Sequence, residues 1–159
     1  EDFWNYLSDR FLGNLRSAVE ENGLRGCWIY WNHTLNEEAA DFTMELDEEA
    51  GLFRIDMHHC PSMGRLMELK HVKPYHDYCR HCDVLYRRVL EPLGYEYNVD
   101  LSRCREAKCS LTVRRRSDSS AQHPVNFRFR GSHRCQTVEF PPDVGVHALA
   151  CRTMLEYML

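Results

Sequence analysis

The sequence predicts an α+β fold: an antiparallel sheet built from hairpins, packed against N-terminal, central and C-terminal helices. Three observations carry this. β-prone stretches come in adjacent pairs rather than singly between helices, a helical stride opens the chain, and proline and glycine punctuate the junctions between the two kinds of segment.

In chain order, Phe3, Leu7, Phe11, Leu15 and Val19 recur at steps of four with polar residues between them, and Gly23 follows as a stop. That spacing predicts one amphipathic helix. Cys27-Trp28-Ile29-Tyr30-Trp31 is a short aromatic run of β-prone character. Phe42, Met44 and Leu46 alternate with polar neighbours, residues 47–51 supply a turn, and alternation resumes over 52–57, so a hairpin is expected here.

The second hairpin strand runs into His58-His59-Cys60-Pro61. Proline suits the first helical turn, where its missing N–H is not needed, so Cys60 is placed at a strand-to-helix junction. A short helix is expected over 62–69, a break at Lys73-Pro74, and a longer helix over 75–93 ended by Gly94. Strands over 95–101 and 109–113 follow, joined by the polar turn 102–108. A Ser/Asp-rich stretch at 117–122 is the expected mobile loop. Strands at 125–130 and 136–140 are expected to pair around Gly131-Ser132, and a helix over 146–159 closes the chain after Pro141-Pro142.

With 159 residues, 43% of them hydrophobic, the chain is expected to form a single domain over 1–159. A net charge of −4 gives no electrostatic reason to expect nucleic acid. Arg114, Arg115, Arg116, Arg128, Arg130 and Arg134 read as a solvated strand face. No apolar run approaches the ~20 residues that span a bilayer. The sequence opens on Glu1-Asp2 rather than on a basic, then apolar, leader. A cytoplasmic protein without membrane contact is expected, with self-association into a homo-oligomer left open. In that setting the eight cysteines read as reduced thiols serving as nucleophiles or ligands rather than as a disulfide framework.

Residues 58–109 hold His58, His59, Cys60, His71, His76, Cys79, His81, Cys82, Cys104 and Cys109. A helical step of three puts Cys79 and Cys82 on one face, where they could bind a soft metal or exchange as dithiol and disulfide. Asp83 is a carboxylate able to act as a general base or to orient a histidine. Cys104 and Cys109, five apart across a turn, are a poor substitute for the second Cys-x-x-Cys of a structural zinc site. Cys27, Cys135 and Cys151 read as small buried hydrophobes. Cys60, behind two histidines at a helix N-terminus, is placed where the helix dipole favours thiolate. His58 and His59 point to opposite sides if the strand continues, so one of them is expected to share the pocket of Cys60. The resulting picture is a thiolate with a neighbouring His or Asp that manages protons.

Cys60-Pro61, then Tyr78-Cys79-Arg80-His81-Cys82-Asp83, Leu93-Gly94-Tyr95-Glu96 and Lys108-Cys109-Ser110-Leu111, together resemble the L-2-amino-thiazoline-4-carboxylate hydrolase family over roughly residues 52–113. The resemblance implies hydrolytic opening of a small cyclic amidine-like ring at a non-peptide C–N bond. Cys60, Cys82 or Cys79, Asp83 and Cys109 are the positions that match. Where relatives usually carry a glycine-rich turn before the last cysteine, this chain has Arg105, Glu106, Ala107 and Lys108.

Two readings of function follow. In the first the chain is a thiol-dependent hydrolase acting on a small-molecule substrate without a cofactor, with Cys60, Cys82, Asp83, Cys109 and His59 catalytic. In the second it is a non-catalytic sensor or binding domain in which Cys60, Cys79, Cys82 and Cys109 hold zinc.

Overall fold

The computed structural model describes residues 2–116 and the backbone of a strand at Asn126–Gly131. The expected loop at 117–122, strand at 136–140 and helix at 146–159 lie outside the described residues, as do Arg134, Cys135 and Cys151.

Helices α1 (Asp2–Phe11), α2 (Gly13–Asn22) and α3 (Leu24–Glu37) precede a hairpin of β1 (Asp41–Asp47) and β2 (Leu52–His59). Then come α4 (Pro61–Glu68), α5 (Arg80–Leu90), β3 (Tyr95–Asp100), β4 (Cys109–Arg115) and β5 (Asn126–Gly131). The five strands form one antiparallel sheet in the order β3-β4-β2-β1-β5. The α+β class and the antiparallel sheet are as the sequence predicts. The strand expected at 125–130 is present, and its described pairing is to the far edge of β1.

Strand alternation sorts the residues between the two sheet faces. Phe42, Met44, Leu46, Phe53, Ile55, Tyr97, Leu111 and Val113 are all buried, and register places Met44 beside Ile55, Phe53 beside Val113, and Val113 beside Tyr97. The same alternation puts Cys109, two residues before Leu111 and paired with Met57, on this buried face. Trp31 of α3 stacks on Phe53 at 5.5 Å, and Tyr86 of α5 meets Trp31 edge-on at 5.0 Å, so the aromatic core joins both helices to the central strand.

Three expectations are corrected. The N-terminal helix breaks at Leu12, and the buried line runs Ser8, Leu12, Leu15, Val19 rather than through Phe3 and Phe11, which are exposed. Ser8 is buried because its hydroxyl donates to the Leu85 carbonyl at 2.8 Å, which ties α1 to α5. The aromatic run 27–31 is helical, not extended: Leu24, Cys27 and Trp31 fall on one face of α3, and that amphipathic spacing outweighs local β propensity. The expected helix at 75–93 is regular only from Arg80 to Leu90 and finishes in a 3₁₀ turn at Glu91–Leu93. Gly94 ends it with φ +86°, a conformation glycine adopts without steric cost.

α2 and α3 approach so closely that a Cβ on Gly26 would lie 2.1 Å from the Ala18 carbonyl oxygen, a backbone atom that cannot swing aside. Gly26→Ala is therefore expected to destabilise the protein by about 1–3 kcal/mol despite alanine's better helix propensity. Urea unfolding measures this; a stability at or above wild type would mean the two helices can part without cost.

Candidate active site

β2 carries the chain to Cys60, whose extended backbone (φ −70°, ψ 121°) caps α4 with Pro61 in the first turn, as the sequence predicts. The Cys60 N–H donates to the Ala107 carbonyl at 2.6 Å, which fastens this junction to the turn before β4. Ala107 itself has φ +56°, in the left-handed region. That is a conformation glycine adopts more readily than alanine. Cys104 opens the 3₁₀ turn Cys104–Glu106, and Cys79 is the N-cap of α5 with Cys82 one turn later.

These elements converge. Cys79 and Cys109 each lie within electrostatic reach of Cys60 and Cys104, and Cys82 lies within reach of Cys60, Cys79 and Cys109. The Cys-x-x-Cys pair and the Cys104/Cys109 pair thus lie in the same region of the fold. All five thiols are free and partly exposed. Burial, then repulsion from Cys104 and Cys60, pushes the Cys79 thiol up to about 12. Burial, then Cys60, Cys79 and Cys104, does the same to Cys109, again to about 12. Cys82 is pushed well above the ordinary thiol range, chiefly by burial and secondarily by Cys109. Among the described residues, no group of three or more His, Cys, Asp or Glu stands ready as it is to hold a metal ion.

Among the described residues, the histidine with a hydrogen bond to a thiol is His81. Its Nε2 lies 3.4 Å from Cys82 Sγ, and its Nδ1 lies 2.5 Å from the Tyr78 carbonyl oxygen. A carbonyl only accepts, so Nδ1 carries the proton and Nε2 offers a lone pair to the Cys82 S–H. Burial lowers the His81 pKa, which keeps the ring neutral and able to accept. Trp4 of α1 stacks on the ring at 5.0 Å and Tyr78 meets it edge-on at 4.8 Å, so aromatic packing fixes its plane.

His58 and His59, the histidines before Cys60, have other described neighbours. His58 bonds through Nε2 to Thr43 Oγ1 at 2.8 Å, next to the register shift at Asp41/Phe42, and the exposed His59 ring lies against Gly64 of α4. Asp83 is held by Arg87, one turn on, at 2.6 Å, and Arg87 also covers the Tyr97 ring. Its described bonds are to that guanidinium rather than to a histidine.

Glu38, just past α3, goes unnoticed in the sequence. It stands in an acidic, turn-like context with no chemical neighbour in the chain to single it out. Its charge reaches Cys82, Tyr30 and Tyr86, and its pKa is raised by burial, against the opposing pull of Arg65. A polar cavity of about 310 Å³ opens beside Cys109, with Asp56, His58, Asp100, Arg103 and Lys108 among its walls. It shares Cys109 with the thiol cluster, whereas Cys82 and His81 do not line it.

The raised thiols fix the sign of an alkaline effect. A thiol held neutral in the fold contributes stability below the ordinary thiol pKa, and that contribution is lost as pH rises through the folded value. Tm is expected to fall from about pH 9 toward pH 12. Cys109→Ala should fall less steeply than wild type; parallel slopes would show that Cys109 does not contribute. Buried Tyr86 and Tyr97 are raised in the same direction, which is why the comparison with the variant is needed.

No helix among the described residues is long and apolar enough to cross a membrane. Comparison with protein-family models, with curated proteins and with solved structures finds no match to this chain.

Proposed function

We propose that the chain is a thiol-dependent hydrolase that opens a C–N bond in a small cyclic amidine or amide, of the thiazoline type implied by the sequence resemblance. The observation that carries this is the Cys82–His81–Tyr78 relay: a thiol within reach of a neutral imidazole whose far nitrogen is fixed by a carbonyl. Cys82 Sγ attacks the ring carbon of the C=N or C=O bond as His81 Nε2 takes the thiol proton. The same proton then passes to the leaving nitrogen as the C–N bond breaks. Water, losing its proton to Nε2, hydrolyses the thio-linked intermediate and returns the thiol. A thiol raised by burial reacts through such concerted transfer rather than as a standing thiolate. Cys60 and Cys109 lie within electrostatic reach of the reacting sulfur, as does Glu38 just past α3.

Offering the reduced protein a panel of thiazoline, cyclic amidine and lactam carboxylates tests the proposal. Ring opening, read as released amine or thiol, is expected for at least one thiazoline-type member. No turnover across the panel by well-folded protein rules the reaction out.

A second reading has its own observation, the meeting of Cys79 and Cys82 with Cys104, Cys109 and Cys60. A soft cation such as zinc would suit these sulfurs and would reverse the mutual repulsion that raises their pKa values. The thiols would have to turn inward to coordinate it. Metal content of protein grown in zinc-supplemented medium tests this: about one tightly held zinc per chain, lost in Cys79→Ser, favours the sensor reading.

A further inference from the structure

We propose that the polar cavity beside Cys109 is a binding site for a small zwitterion, of the chemical class of a free α-amino acid. The sheet gives it an acidic wall. Register aligns Asp56 of β2, Ser110 of β4 and Asp100 of β3 across the sheet, and all three line the cavity, so a serine stands between two carboxylates. With strands spaced about 4.8 Å apart, the backbones that carry the two carboxylates are roughly 10 Å from each other. The Asp100 carboxylate accepts from the Ser102 N–H at 2.9 Å, a bond that holds it below the usual carboxylate range and therefore ionised.

The turn between β3 and β4 gives the cavity its basic wall, through Arg103 and Lys108. The Lys108 N–H donates to the Arg103 carbonyl at 3.3 Å, which ties the two residues together across the turn. Arg103 is already bonded to Glu106 at 2.6 Å, and Asp56 to Arg54 at 2.8 Å. The half-buried Lys108 differs: its ammonium has no hydrogen bond or ion pair to any described residue, although the charge of Glu106 reaches it. A partly desolvated ammonium without an acceptor favours an incoming carboxylate.

Opposite charges in one cavity select the ligand. A simple anion drawn to Lys108 would also meet two carboxylates, and a simple amine drawn to Asp56 and Asp100 would also meet two cations. A molecule that carries both charges satisfies both walls, its carboxylate toward Lys108 and its ammonium toward the Asp56–Ser110–Asp100 row. The volume of about 310 Å³ lies at the small end of ligand cavities, which suits an occupant the size of an amino acid. Neither Cys82 nor His81 lines the cavity, so this ligand is not the one consumed at the thiol, and its binding stands apart from the hydrolase reading.

Amide NMR shifts of the isotope-labelled full chain, titrated with glycine, L-alanine and L-serine, test this, with acetate and methylammonium as single-charge probes. Expected are saturable shifts at Ser102, Lys108 and Ser110 for at least one amino acid, with Kd in roughly the millimolar range, and binding at least about tenfold weaker for either single-charge probe. Lys108→Met and Asp100→Asn should each weaken binding by about tenfold or more, while Cys82→Ala should leave it unchanged. Acetate or methylammonium binding as tightly as the amino acids would make this a plain anion or amine site and overturn the assignment, as would the absence of saturable shifts in folded wild type. Loss of binding in Cys82→Ala would place the ligand at the thiol and overturn it as well. Should Lys108→Met fold poorly, Lys108→Gln with the same titration gives the same decision.

Discussion

Cys82→Ala is expected to lower kcat for ring opening by about three orders of magnitude or more, with KM changed far less. The reason is positional. Among the described residues, Cys82 is the thiol with an imidazole nitrogen in hydrogen-bond reach, at 3.4 Å, and that imidazole is oriented by the Tyr78 carbonyl and held between Trp4 and Tyr78. His81→Gln keeps a polar side chain of similar reach but removes the base, and should cost roughly 10²–10⁴ in kcat. Combining the two should cost little more than Cys82→Ala alone, because residues that act as a unit are not additive. The pH profile supplies a second readout. With His81 depressed below the ordinary imidazole range, the acid limb of kcat/KM should lie below about pH 6.5 in wild type and vanish in His81→Gln. Should Cys82→Ala stay within tenfold of wild type while Cys60→Ala or Cys109→Ala is inactive, Cys82 is not the nucleophile.

The parts of this arrangement that the sequence made legible are the local ones. The hairpin declares itself by alternation, the Cys60-Pro61 junction by the chemistry of proline, and the stop at Gly94 by a left-handed φ of +86°. The helical placement of Cys82 follows from the same local pattern, although Cys79 only caps α5. What stayed hidden depends on contacts between distant segments. Cys104 and Cys109 come within electrostatic reach of Cys79 only through the fold, since they lie on separate elements. The His81 ring that meets Cys82 is stacked by Trp4 of α1, some seventy residues earlier, a contact no local pattern announces. The run 27–31 misleads for a related reason. Its aromatics favour a strand when counted one by one, yet Leu24, Cys27 and Trp31 share a helical face that is useful only against the sheet. Asp83 stands beside Cys82 in the chain, and in the fold it is paired with Arg87 one turn away.

Phe53→Ala should be the most damaging of the single core substitutions, at about 3–5 kcal/mol. Phe53 is fully buried near the start of β2, with Leu46 of β1 on one side, Val113 of β4 on the other, and the Trp31 ring stacked above it. Removing the ring leaves a cavity beneath an indole that cannot follow it down, because Trp31 is held by Tyr86 as well. At the usual conversion for a protein of this size, the loss lowers Tm by roughly 10 °C or more, readable by calorimetry. A double-mutant cycle with Trp31→Ala should show that the two losses are less than additive, since either one dismantles the same stack. The effect should also reach the thiols. Trp31 contacts Tyr86, Tyr86 contacts Tyr97, and the Tyr97 hydroxyl donates to the Cys82 carbonyl at 3.3 Å, so the packing around Phe53 extends to the backbone that aims Cys82 at His81. Under conditions where Phe53→Ala remains folded, alkylation of Cys82 should therefore be faster than in wild type, while a substitution on the exposed face of α1, such as Tyr6→Ala, should leave it unchanged. Equal alkylation rates in Phe53→Ala and wild type would show that the core and the site are mechanically independent.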